Sequence, residues 1–144
     1  MRPFLLVIEE DDEMQTLLVE SLEDENYLTH GVTSAAEALK HCSRTRVDIA
    51  ISSLCSIDRF GIKTYHAMQE RYPELVFIIT APKDRISRLD LPGLKLGPIL
   101  PTPFRLRDIT KAVHQTSNWW LSLKRHVGEG VEQIRLSCTP KPTI

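Results

Sequence analysis

Short apolar runs alternate along this chain with longer stretches whose apolar residues recur every three or four positions. The apolar runs have the length of strands and occupy residues 4–8, 27–32, 48–53, 75–80 and 97–100. The intervening stretches have helical spacing. Alternation of strands and helices predicts a parallel sheet covered by helices on both faces. The pattern therefore predicts a single α/β domain with five strands.

The predicted helices differ in the strength of their start and stop signals. The first helix follows the acidic run after the first strand, where Asp11 or Asp12 can cap it, and the second begins with the capping box of Ser34 and Glu37. A third helix is predicted after Gly61, with a loop between it and the third strand, and it should stop near residues 72–73. Residues 84–89 suit only a short or distorted fourth helix, because a Pro-Gly turn follows them.

The last helix is the longest element predicted, from Leu106 to about His126. Its apolar positions form one continuous stripe: Leu106, Ile109, Val113, Thr116, Trp120 and Leu123. Gly128 and Gly130 should end it. Residues 131–138 suit a short strand or a turn of helix, and the final residues suit a loose tail. We expect the main domain at residues 3–117 and an extension with a tail at residues 118–144.

Composition excludes several classes of protein. The net charge is −1, with 42% hydrophobic and 26% charged residues, which is typical of a soluble globular domain. This balance argues against nucleic acid or a membrane surface as a partner. No apolar run has the length of a membrane span, and the first residues lack a signal segment, so we expect a cytoplasmic location. The three cysteines, widely spaced, argue against a disulfide framework or a zinc site.

Polar residues follow the strand ends, where sites form in open parallel sheets. Glu9 and Glu10 follow the first strand, Ser53 ends the third, Thr80 ends the fourth and Thr102 follows the fifth within Pro101-Thr102-Pro103-Phe104. In this order and spacing, the strand ends resemble the receiver domain of two-component response regulators. The resemblance covers residues 4–117. It implies a flavodoxin-like, doubly wound sheet of five parallel strands in the order 2-1-3-4-5, with Glu9, Glu10 and Ser53 near one another.

The resemblance also implies which groups are altered in this chain. In the family, the third strand ends in an aspartate that accepts a phosphoryl group, and here Ser53 takes that place. The family's lysine is replaced by Thr102, and its acidic pair, which holds Mg²⁺, by Glu9 and Glu10. Thr80 alone keeps its type. A serine hydroxyl is a weak nucleophile without a base, and octahedral Mg²⁺ tolerates displaced carboxylates poorly. We expect a degenerate phosphoacceptor pocket with no cofactor, in which Glu9 and Glu10 are weak candidates for binding a metal.

Two further positions matter for how such a domain transmits a signal. The family uses an aromatic residue on the fifth strand that turns inward, and Ile99 stands there. An aliphatic side chain has no polar tip to alternate between wet and dry positions, so the usual switch is not expected. The Thr102–Pro103 peptide bond is a candidate for the cis form that the family often has before this proline.

Trp119 and Trp120 provide the second functional clue. Neighbours on a helix point about 100° apart, so one tryptophan can join the apolar stripe while the other faces elsewhere. Large aromatic residues that protrude from a small domain often mark a partner surface. We expect Trp119, Trp120 and Leu123 to form a surface for self-association or for a protein partner. The other interpretation is that residues 131–138 fold back and cover the tryptophans.

These observations predict an atypical receiver, a pseudo-receiver, that is not an enzyme. It would act as a phosphorylation-independent protein-interaction module in bacterial signalling. One alternative is a receiver phosphorylated at another residue, such as Asp58 in the loop after the third strand. A second is a sensor that binds a small molecule or a metal in the vacated acidic pocket. A hydrolase built on Ser53 is disfavoured, because the chain lacks the Gly-x-Ser-x-Gly motif around it.

Overall fold

The fold is a five-stranded parallel sheet with the strand order β2-β1-β3-β4-β5. The computed structural model describes residues 2–125, and the side chains of residues 2–122. The strands are β1 (Phe4–Ile8), β2 (Leu28–Val32), β3 (Ile49–Ser53), β4 (Val76–Pro82) and β5 (Leu96–Thr102). The predicted flavodoxin-like order 2-1-3-4-5 is confirmed, and both β4 and β5 extend two residues beyond their predicted ends.

Six helices surround the sheet within the described residues. They are α1 (Asp12–Asp24), α2 (Ala35–Arg44), α3 (Leu54–Phe60), α4 (Ile62–Arg71), α5 (Lys83–Ile86) and α6 (Leu106–Arg125). The short α5 and the long α6 agree with the prediction. The predicted stops at Gly128 and Gly130 and the segment 131–138 lie outside the described residues. Because α6 runs without a break through position 117, the boundary expected there stays a prediction.

Each face of the sheet has its own core, because successive strand residues point to opposite faces. On one face, Leu5 and Val7 of β1 pack with α1 and α6. On the other face, Leu6 and Ile8 pack with α2, α3 and α4. The central strands are thus buried on both sides, which explains why they read as unbroken apolar runs rather than as alternating patterns.

Helix caps follow the polar residues that the sequence offers at the helix starts. Asp11 accepts a hydrogen bond from the Met14 N–H (3.1 Å), and Ser34 accepts one from the Glu37 N–H (3.1 Å). Of the two hydrogen bonds in the predicted capping box, the one accepted by the Ser34 side chain forms. The Glu37 carboxylate accepts a hydrogen bond from the Thr33 hydroxyl instead (3.3 Å).

The prediction of a loop after the third strand is wrong. Helix α3 begins at Leu54, directly after β3, and α4 begins at Ile62. Two causes act at the two ends of α3. Ser53 caps its start, and Gly61, with a φ of +90°, separates it from α4. Leu54 and Ile57 are buried against the sheet, so packing supplies the stability that a seven-residue helix lacks alone.

Asp48 connects three parts of the chain at the edge where the strands begin. Its side chain is 6% exposed and accepts hydrogen bonds from the Phe4 N–H (2.8 Å) and from Nε of Arg46 (2.8 Å). The Arg46 guanidinium carbon in turn lies 5.8 Å from the centre of the Trp120 ring. The first strand, the third strand and the last helix are therefore joined through one carboxylate.

In residues 2–125, no helix combines the length and the apolar character that crossing a bilayer requires.

We expect Asp48→Ala to lower the free energy of unfolding by roughly 2 kcal/mol, because the Phe4 N–H loses its acceptor in a partly buried place. Urea denaturation followed by circular dichroism measures this value. Asp24→Ala is the matched control, since Asp24 is exposed on α1. Equal midpoints for the two variants would show that the Asp48 contacts contribute nothing to stability.

Candidate functional site

The sheet register brings the predicted pocket residues to one edge. Ser52 lies beside Ile8 in the β1–β3 pairing, so Ser53 comes beside the chain that leaves β1 at Glu9. Ser53 pairs with Thr80 across β3 and β4, and Thr102 lies beside Pro82 across β4 and β5. The predicted gathering at the carboxyl ends of the strands therefore follows from the strand pairing.

The Ser53 hydroxyl serves as the cap of helix α3. The Ser56 backbone N–H donates to Ser53 Oγ at 3.0 Å, and the Ser53 hydroxyl donates to Ser56 Oγ at 2.9 Å. A serine hydroxyl has one proton to donate. Since that proton points to Ser56, Ser53 is held in a structural role. Ser56 itself is fully buried, so its hydroxyl and N–H need these bonds.

A buried pair, Ser52 and Tyr65, lies directly beneath this edge. The Ser52 hydroxyl donates to the Ser53 carbonyl (3.1 Å), so the Tyr65 hydroxyl is the donor in the 2.9 Å bond between Tyr65 and Ser52. Burial raises the pKa of Tyr65 to about 12, and the Glu9 carboxylate adds to the rise while the Ser52 bond opposes it. Sequence reasoning placed Tyr65 only among packing residues. Its hydroxyl in fact fixes the end of β3.

The acidic residues after β1 are tied to neighbouring groups. Glu9 accepts a hydrogen bond from the Asp11 N–H (3.1 Å), and Glu10 forms a salt bridge with Nε of Arg59 (3.1 Å). Both partners of that salt bridge are well exposed, so it contributes at most about 1 kcal/mol. Arg59 was missed by sequence reasoning because it falls in the segment expected to be a loop. Its charge is paired with Glu10.

Thr80 is buried, and Thr102 is half-buried. The Thr102–Pro103 peptide bond is cis, as predicted from the resemblance. Ile99 is also buried, with 6% of its surface exposed. The Ile99 side chain on β5 thus lies in the interior of the domain.

These residues do not fit a Mg²⁺ ion of the family type. Mg²⁺ favours several oxygen ligands in near-octahedral geometry. Glu10 is directed to Arg59, and Ser53 supplies no carboxylate. Across residues 2–125, no three His, Cys, Asp or Glu side chains form a group that could hold a metal ion.

Asp58 lies within α3 rather than in a loop, which corrects the expectation for this residue. Its carboxylate forms a 2.9 Å salt bridge with Nη1 of Arg85, at the end of the short helix α5. The Arg59 contact to Glu10 joins α3 to the end of β1, and the Asp58 contact joins it to α5. Helix α3 is therefore joined by salt bridges to the end of β1 and to α5.

Trp120 is 3% exposed, so the expectation that it lies on a partner surface is wrong. The physical reason is the continuous apolar stripe, which carries Trp120 into the domain, where Arg46 also covers its ring. Trp119 as a whole is half-buried, and Nζ of Lys95 lies 4.9 Å from its ring centre. Its Nε1 atom is buried and has no hydrogen-bond partner within the described residues. Position 123 belongs to α6, but the side chain of Leu123 lies outside the described part.

Known structures of receiver domains share this fold. A response regulator receiver domain from Clostridium thermocellum superposes with a TM-score of 0.70 at 17% identity, covering 84% of this chain and 98% of that one. The signal receiver domain of a putative Luxo repressor protein from Vibrio parahaemolyticus gives 0.70 at 19% identity, covering 90% and 99%. A chemotaxis response regulator of Vibrio cholerae gives 0.67 at 18% identity, covering 80% and 98%.

The sequence itself matches no family model and no curated protein. The structural likeness therefore establishes the fold, which is that of receiver domains. Identity to these structures is below 25%, so the likeness extends to the fold and not to an activity.

Ser53→Ala should lower the free energy of unfolding by about 1 kcal/mol through loss of the helix cap, while Ser53→Asp should stay close to the wild type because aspartate is also a good cap. Ser34→Ala at the start of α2 is the matched control for the loss of a serine cap. Chemical denaturation measures all three. A Ser53→Ala variant as stable as the wild type would show that the hydroxyl does not hold α3.

Proposed function

We propose that this protein is a pseudo-receiver, which passes information in the bacterial cytoplasm by binding a second copy of itself or another protein, and which neither undergoes nor catalyses phosphoryl transfer. The observation that carries the proposal is the position of Ser53. It stands where the resembling family has its phosphoacceptor, and its hydroxyl caps helix α3 through two contacts with Ser56.

The surroundings of Ser53 support the same conclusion. A phosphoryl group brings negative charge, which needs a metal ion or a nearby cation to balance it. Thr102 supplies no charge, and the Glu9–Glu10 pair does not fit Mg²⁺ in the geometry described above. An abandoned reaction accounts for both changes together, whereas loss of the acceptor alone would not require loss of the cation.

Helix α3 adds a steric argument. A receiver that is phosphorylated needs room for the phosphoryl group beyond the end of β3. Here the chain turns into a helix at once, with Leu54 buried and the Arg59 and Asp58 side chains attached to flanking elements. The chain beyond Ser53 is therefore held by the cap and by two salt bridges rather than free to rearrange around a phosphoryl group.

Phosphorylation at Asp58 is the alternative in the same class of function. Asp58 is exposed and lies in the same helix, but its carboxylate is paired with Arg85. An acyl phosphate there would lose that pair and would have no metal site beside it.

We expect no phosphoryl adduct when the protein is incubated with phosphoramidate and Mg²⁺ and its intact mass is measured. A functional receiver domain treated in parallel controls for the donor. The variants Ser53→Ala and Asp58→Asn assign any adduct that forms. A stoichiometric, Mg²⁺-dependent adduct that Ser53→Ala abolishes would contradict the proposal, and one that Asp58→Asn abolishes would establish the alternative.

The proposed partner surface lies on α6 around Trp119 and involves self-association. Trp119 retains exposed aromatic surface, and its Nε1 lacks an acceptor in the described part of the chain. Because the N–H itself is buried, an interface would use the exposed part of the indole ring, and aromatic rings of this kind are enriched at interfaces. Trp120 does not take part, because it belongs to the core.

Light scattering after size-exclusion chromatography should give the mass of a dimer for the wild type and of a monomer for Trp119→Ala. Gln115→Ala, at an exposed position of the same helix, is the control and should remain dimeric. Thermal melting of each variant shows whether the fold is kept. A monomeric wild type would remove the support for self-association and would leave a different protein as the partner.

A further inference from the structure

A cleft of about 370 Å³ lies between helix α3 and the segment that runs from α5 toward β5. Its α3 wall contains Leu54 and Asp58, and its other wall contains Arg85 and residues 88–91. Sites for small molecules usually occupy about 300–1,000 Å³, so the cleft has the size of a site for a small ligand. Sequence reasoning did not find it, because one wall was expected to be a loop.

Four charged residues line the cleft, and two of them form a salt bridge with each other. Arg85 and Asp58 bind each other across it at 2.9 Å. Arg88 and Asp90 also line the cleft, and their side chains form no hydrogen bond or ion pair with any residue of the described part. One guanidinium and one carboxylate thus remain available, two positions apart along the same wall.

The rest of the lining is apolar. Leu89 and Leu91 are half-buried and pack against the core on this face of the sheet, and Leu54 is buried opposite them. A ligand that enters the cleft therefore meets leucine side chains together with one positive and one negative group.

From this lining we infer that the cleft is a binding site for a small zwitterion with an apolar body, of the α-amino acid class. A carboxylate accepts hydrogen bonds from the planar Arg88 guanidinium, an ammonium group pairs with Asp90, and the apolar body contacts the leucines. A simple anion would be attracted by Arg88 and repelled by Asp90. A simple cation would be attracted by Asp90 and repelled by Arg88. A ligand that carries both charges can pair with both residues at once.

The site is separate from the degenerate pocket but shares helix α3 with it. Leu54 follows Ser53 directly, and the next turn of the helix carries Asp58. A ligand held between the two walls would add contacts between α3 and residues 88–91, next to the Arg85–Asp58 salt bridge. The inference does not depend on whether the domain is ever phosphorylated.

Titration of ¹⁵N-labelled protein with L-leucine and L-phenylalanine, followed by ¹H–¹⁵N correlation spectra, tests this site. We expect saturable shifts of the amides of Leu54, Asp58, Leu89 and Leu91. Three probes that each lack one feature should bind at least fivefold more weakly: glycine without the apolar body, 4-methylpentanoate without the ammonium group, and 3-methylbutylamine without the carboxylate.

Arg88→Gln and Asp90→Asn should each weaken binding of L-leucine roughly tenfold, as expected for the loss of a charge-assisted hydrogen bond. Arg107→Gln and Asp24→Asn, at exposed positions on α6 and α1, are the matched controls and should stay within twofold of the wild type. Unchanged spectra with both amino acids would overturn the inference. So would equal binding of the three incomplete probes, or variants at 88 and 90 that bind like the controls.

Discussion

The contact between the Ser53 hydroxyl and Ser56 is the interaction on which the functional edge of this domain depends. It fixes the first turn of α3 directly against the end of β3. The helix then determines where its next side chains lie. Arg59 reaches Glu10 on one side, and Asp58 reaches Arg85 on the other. One hydroxyl that caps a helix thus organises the groups at the carboxyl ends of the strands.

The opposite edge of the sheet is organised around a different polar group. Asp48 is buried, and it holds the start of β1 through Phe4 and the Arg46 side chain that lies over Trp120. The two edges therefore use the same principle, a polar side chain that satisfies backbone or side-chain donors from separate elements. At the Asp48 edge the contacts join the first strand to the last helix, while at the Ser53 edge they join the third strand to helix α3.

The sheet could be predicted from the sequence because each strand is marked by residues next to one another in the chain. Each strand is a short apolar run, and a residue such as Ser34 marks a helix start by its type and position. Helix α3 could not be predicted, since its seven residues include Cys55, Ser56, Asp58 and Arg59 and are too few to show a helical period. Its stability comes from the cap and from packing on the sheet, which only the assembled fold provides.

The candidate site was predictable in membership but not in arrangement. Strand ends determine that Glu9, Ser53 and Thr80 share an edge, and parallel pairing brings them together. The charge that balances Glu10 comes from Arg59, whose position depends on the unforeseen helix. Similarly, the sequence put Trp120 both in the apolar stripe and on the expected partner surface, and only the fold shows that it is buried. The contact over Trp119 comes from Lys95, far away in sequence.

The burial of Trp120 has a consequence for the minimal folding unit. A boundary drawn at position 117 removes a large aromatic side chain, Trp120, from the interior. The void left beneath Arg46 would be larger than the loss of a few methyl groups, and loss of a core tryptophan typically costs about 3–5 kcal/mol. The turn of α6 that carries Trp120 therefore stabilises the packing on the sheet. Shortened versions of this chain would need it to stay folded.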